Sequence, residues 1–102
     1  MKFTLIYITY PNIEEAKKIV HHLLDKKLIS CANFFPVENC YWWKGKIVDS
    51  TEVVSIIKTK EQNLERIKSE VKKLHTYEIP CIIKLDAEAN KEFEDWVEEE
   101  TI

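Results

Sequence analysis

A single glycine, Gly45, stands between two long runs of strand-forming residues, and no other feature constrains this 102-residue chain as tightly. The runs Ser30 to Trp43 and Lys46 to Lys58 are rich in aromatic and β-branched residues, among them Phe34, Phe35, Tyr41, Trp42, Val53 and Ile57. Gly45 between Lys44 and Lys46 predicts a tight hairpin turn. Pro36 and Asp49 predict a bulge or an irregular stretch in the arms. An arm of about 13 residues reaches roughly 43 Å at 3.3 Å per residue. A helix of about 15 residues covers only roughly 22 Å. The hairpin is therefore expected to overhang any helices packed on its sheet.

The remaining elements follow from periodicity. Phe3 to Tyr10 is apolar on both faces and predicts a central strand, ended by Pro11. Asn12 with Glu15 predicts a helix cap, and Ala16, Ile19, Val20, Leu23 and Leu28 continue at helical spacing. Thr59 with Gln62 repeats that capping pattern before Leu64, Ile67, Val71 and Leu74. Ile79 to Leu85 reads as a last strand, and Asn90 as the cap of a short helix with Phe93, Trp96 and Val97 on its docking face. The order strand, helix, strand, strand, helix, strand, with a terminal helix, is that of an α+β ferredoxin-like sandwich. Both crossovers should be right-handed, with two helices on one face of a four-stranded antiparallel sheet.

The length suits one domain, residues 1–102, and no Pro/Gly/Ser linker or repeat divides it. No apolar run approaches the ~20 residues of a membrane span, and Met1 to Tyr10 lacks the parts of a secretory signal, so no membrane partner is expected. Cys31, Cys40 and Cys81 are an odd, widely spaced set that reads as reduced thiols. These features predict a cytoplasmic protein. Residues 86 to 100 hold eight acidic groups and one lysine, against ten acidic and fourteen basic groups in residues 1 to 85. That is a solvated acidic helix on a mildly basic body, and it lacks the basic stripe of a nucleic-acid binder. Trp42 and Trp43 are adjacent in a strand and point to opposite faces, so at least one needs an external partner. A ring of subunits pairing through the hairpins would bury them.

Several motifs, taken together, resemble one family. They are Thr9 and Pro11 after the first strand, the run Leu28-Ile29-Ser30-Cys31-Ala32-Asn33, the turn Tyr41-Trp42-Trp43-Lys44-Gly45-Lys46, and Glu52-Val53 with Lys58-Thr59. The segment His75-Thr76-Tyr77-Glu78-Ile79-Pro80 and Phe93 with Trp96 complete the set. In this order, nearly end to end, the chain is similar to the CutA divalent-cation tolerance family. The resemblance implies a homotrimer akin to the PII-type signalling proteins, with a link to copper tolerance and weak copper binding. Copper-site members are described with a cysteine before the first-strand threonine and two histidines ending the second helix. Here those positions are Ile8, Leu74 and His75, so only the last is kept.

On that reading the working surface is a cleft between subunits. His75 and Cys31 are its expected metal contacts, and Lys58, Glu52 and Tyr77 its polar surround. Capping of the last helical carbonyls accounts for His75 as well as a ligand role does, and core packing accounts for Cys31. A PII-like trimer that binds a small ligand and no physiological metal is the competing expectation. An enzyme is not expected. The only arginine, Arg66, is mid-helix and cannot cradle a phosphate as an acylphosphatase-like site requires. An RNA-recognition sheet would need stacking aromatics on the third strand, and Lys46 to Lys58 has none.

Overall fold

In the computed structural model, which describes residues 1–102, the strands flanking Gly45 pair without a break from Cys31 opposite Lys58 to Trp43 opposite Lys46. They are β2 (Cys31–Trp43) and β3 (Lys46–Lys60). Lys44 and Gly45 have φ of 49° and 79°, the left-handed pair that a two-residue type I′ turn requires. A side chain at 45 would meet nothing within 4 Å, so glycine serves there for its backbone alone. The bulge expected from Pro36 and Asp49 does not form: Pro36 lies opposite Val53, and Asp49 opposite Cys40, in continuous register. The strand order is β2, β3, then β1 (Phe3–Tyr10) and β4 (Ile82–Asp86), so Pro36 is on an edge, where a missing N–H costs no ladder bond on the open side.

β1 (Phe3–Tyr10) runs antiparallel to both β3 and β4 (Ile82–Asp86), which gives the central strand its two-sided burial. Ile6, Ile8 and Tyr10 point into the core under the helices, with Tyr10 Oη 2.7 Å from Ser55 Oγ. β1 reaches only as far as Val53 along β3, so residues 37–52 project beyond it as a two-stranded arm. The molecule accordingly measures 45 × 25 × 21 Å. The overhang is present.

α1 (Ile13–Asp25) begins as its sequence predicts, with the Glu15 N–H donating to Asn12 Oδ1 at 2.8 Å. It buries Ala16, Ile19, Val20 and Leu23, and α2 (Leu64–Leu74) adds Ile67 and Val71 to the same core. The cap expected at Thr59 and Gln62 is not used. β3 continues through Lys60, a 3₁₀ turn at Glu61–Asn63 leads into α2, and Thr59 Oγ1 donates to the Leu28 carbonyl at 2.6 Å. Thr59 is opposite Thr4 in the ladder, and sheet pairing with a buried hydroxyl partner outweighs the local capping preference. β4 begins at Ile82, later than the expected Ile79. α3 (Lys91–Glu100) buries Val97 and sets Phe93 edge-on to Phe3 at 6.1 Å, while Trp96 stays exposed. No helix is long and apolar enough to cross a membrane.

One ion-pair cluster ties the helices together. Glu70 on α2 accepts from His22 Nε2 on α1 at 2.7 Å and from Lys73 Nζ at 3.0 Å. These bonds, the histidine's first, hold the carboxyl at about 2 against an ordinary 4.5. A depressed carboxylate stabilises the fold fully above its unfolded value, and that contribution is lost as pH falls from about 4.5 towards 2. Glu70→Gln should therefore be less stable than the parent at pH 7, with the difference closing through this window. Urea melts across the acid range check it, and parallel stability curves would refute it.

A candidate ligand cleft on the open sheet face

The sheet face away from α1 and α2 carries alternate residues of each strand: Asn39, Tyr41 and Trp43 on β2, Ser50 and Glu52 on β3, and Tyr7 and Thr9 on β1. The segment after α2 folds back over this face, and His75 fixes its path. The His75 N–H closes α2 on the Val71 carbonyl at 2.8 Å. The ring is held at both nitrogens: Nε2 donates to the Thr9 carbonyl at 2.7 Å, and Nδ1 accepts the Tyr77 N–H at 3.1 Å. A carbonyl can only accept and an N–H only donate, so the partners select the neutral Nε2–H tautomer. The ring also stacks on Tyr10, with centroids 5.5 Å apart and planes 12° from parallel, and meets Tyr77 at 4.8 Å.

Held there, the Tyr77 hydroxyl donates to Glu52 Oε2. Asn39 Nδ2 donates to Glu52 Oε1, and Ser50 Oγ donates to Asn39 Oδ1. Both carboxylate oxygens are thus fixed by neutral donors from two further segments. Around this chain of bonds lies a cleft of about 510 Å³, with Trp43, Ile79 and Cys81 among its walls. Burial first, then the bond to the Glu52 carboxylate, raises the Tyr77 hydroxyl pKa. Burial and the same negative charge push the Cys81 thiol up.

The five residues singled out from the sequence divide into two groups. Glu52 and Tyr77 bond to each other, and His75 positions Tyr77. Lys58 and Cys31 sit directly opposite each other at the far end of the hairpin ladder, where Lys58 Nζ donates to Asn33 Oδ1. Lys58 is six positions along β3 from Glu52, roughly 20 Å at strand spacing. Cys31 is level with Leu5 and His75 with Thr9, so within one chain they are separated by roughly 13 Å along the strands and two strand spacings across. No group of three or more histidine, cysteine or acidic side chains is arranged to hold a metal ion. Asn39 and Cys81 escape a motif reading. The alternation of β2 and its register with β3 put Asn39 beside Glu52, but Cys81 reaches the cleft through an irregular segment with no period to read.

Residues 4–100 match the family model of the CutA1 divalent ion tolerance protein. The chain belongs to that family. A divalent-cation tolerance protein CutA of Archaeoglobus fulgidus is 45% identical over 95 residues, spanning 92% of this chain and 93% of that protein. The solved structure from that organism, described as a periplasmic divalent cation tolerance protein CutA, superposes with a TM-score of 0.93 at 43% identity, covering 96% of this chain and 97% of the other. CutA1 from Oryza sativa superposes with a TM-score of 0.96 at 33% identity, covering 100% of this chain and 95% of that one. The long hairpin, the three helices and the strand order are therefore the CutA1 fold.

Proposed function

We propose that this CutA1 protein serves divalent-cation tolerance as a cytoplasmic homotrimer of one-domain chains, residues 1–102, by binding a small ligand in the Glu52–Tyr77 cleft without catalysing a reaction. The observation that carries this reading is the Glu52 carboxylate, fixed by Asn39 and Tyr77 beside a ready cavity. A few oriented polar groups among apolar walls are what a small-molecule site needs. The arm supports the trimer. Trp42 and Ile47 are 72% and 64% exposed and lie opposite each other, an apolar strand surface that further subunits would cover. Burial and the Glu52 charge work against a Cys81 thiolate, which disfavours nucleophilic catalysis here. The unpaired thiols suit a reducing compartment.

Copper is the second reading: the relatives are called divalent-cation tolerance proteins, and among divalent ions a thiol with an imidazole suits copper. It would be held weakly, by His75 and Cys31 contributed from different subunits, with Lys58 near the thiol. Imidazole binds a metal through a free nitrogen lone pair, and here Nδ1 spends its lone pair on Tyr77 while Nε2 carries the hydrogen. A copper ion at His75 must break one of these bonds. Calorimetric titration of the reduced trimer with copper, for the parent and His75→Ala, separates the readings. The ligand reading expects weak heats that are the same in both proteins. Saturable uptake of about one ion per subunit, lost in the variant, would establish the copper site instead.

A further inference from the structure

The helix α1 has an outer side that the core does not use. It buries Ala16, Ile19, Val20 and Leu23, and at about 100° per residue His21 and Asp25 fall on the opposite side of the helix, where both are exposed. They are four residues apart, so one stands a turn above the other with Cβ atoms roughly 5 to 6 Å apart. Neither takes part in an ion pair or a side-chain hydrogen bond. From this we infer that His21 and Asp25 form a two-ligand site for a divalent transition ion on the outer face of α1, separated by the sheet from the Glu52–Tyr77 cleft and independent of what fills it.

The groups beside the pair are engaged elsewhere. His22 has Nε2 2.7 Å from Glu70 Oε1, so its ring is held against α2, and Lys26 and Lys73 close on the same carboxylate. Asp25 is thereby left without Lys26. Lys17 and Lys18, the cations one turn before His21, are exposed and carry their charge on long stems that can swing into water. Side chains on a helix tilt towards its N-terminus, so Asp25 leans back towards His21 and an imidazole nitrogen and a carboxylate oxygen can converge on one ion. That donor pair is of intermediate softness and suits Cu(II), Ni(II) or Zn(II), whereas Mg²⁺ and Ca²⁺ prefer shells of oxygen alone. Two protein ligands leave the remaining positions to water. The ion is therefore exchangeable and held weakly, unlike one in a closed structural site.

Nickel(II) is a suitable probe, because it is paramagnetic and leaves the three free thiols unoxidised. Added to the intact assembly and followed by NMR, it should first broaden the His21 ring and the amide signals of residues 18–25. The broadening should saturate with a Kd on the order of 0.1 mM. Excess magnesium should not reverse it. His21→Ala puts a good helix former at an exposed helical position, and should abolish the saturable broadening of α1 with melting temperature and assembly unchanged. Asp25→Asn removes the charge and should raise Kd about tenfold. His22→Gln and His75→Ala should leave the broadening of α1 as it is in the parent. Broadening of α1 that survives His21→Ala, that is lost equally in His22→Gln, or that magnesium reverses overturns the proposal. So does nickel that gathers at the cysteines or His75 and leaves residues 18–25 sharp.

Discussion

Replacing Trp42 and Trp43 together by alanine is expected to split the proposed trimer into monomers at micromolar concentration and to lower the melting temperature severely. Each large aromatic withdrawn from water contributes on the order of 1.5 to 3 kcal/mol, and every subunit loses two. The two residues should not contribute equally. Trp43 is 38% exposed in the single chain and faces the cleft, so much of its surface is already covered. Trp42 is on the opposite face beside Ile47 and is mostly bare, so the area that assembly can still bury is chiefly its own. Trp42→Ala alone should therefore account for most of the dissociation, and Trp43→Ala should act more on the cleft and the fold. Light scattering on the two single variants and the double variant checks the order. A trimer that survives in the double variant with its melting temperature unchanged would remove the hairpin from the assembly contact.

The hairpin was legible because its main signals agree. One glycine, long strand-forming arms and an alternating face all describe the same element. The same agreement located α1, where Asn12 caps as its spacing with Glu15 suggests. Thr59 misled because two signals competed on it. Its spacing to Gln62 has the form of a helix cap, yet its β-branched side chain belongs to the ladder and finds a buried acceptor on Leu28. Pro36 misled because its meaning depends on whether the strand is an edge, which only the topology decides.

Within one chain, only part of the expected site is brought together. Glu52 and Tyr77 meet in one chain, whereas Lys58 is roughly 20 Å along β3 from Glu52 and, with Cys31, could join them only from another subunit. His75 shows the limit most clearly. Sequence places an imidazole at the end of α2, while its chemistry depends on two backbone groups, at Thr9 and Tyr77, that it meets only in the fold.

Leu23→Ala is expected to destabilise the chain strongly while leaving the hairpin untouched. Leu23 is fully buried on the last full turn of α1, within the core that Ile6, Ile8 and Tyr10 build from β1. Its carbonyl also accepts the Leu28 N–H at 3.1 Å, where Lys27 at φ 56° turns the chain out of the helix towards β2. Truncation leaves a cavity between a helix and the central strand, neither free to collapse, so a loss of about 2 to 5 kcal/mol is expected. For a domain of this size each kcal/mol lowers the melting temperature by roughly 4 to 8 °C. Leu24 is only half-buried beside it, and Leu24→Ala should cost less. Because assembly makes melting temperature depend on concentration, the variants must be compared at equal subunit concentration. A Leu23→Ala protein that melts early yet still scatters as a trimer would show that the core under the helices and the hairpin contact are separate sources of stability. A melting temperature within 2 °C of the parent, below the roughly 4 °C expected for even one kcal/mol, would mean that α1 does not seal this core.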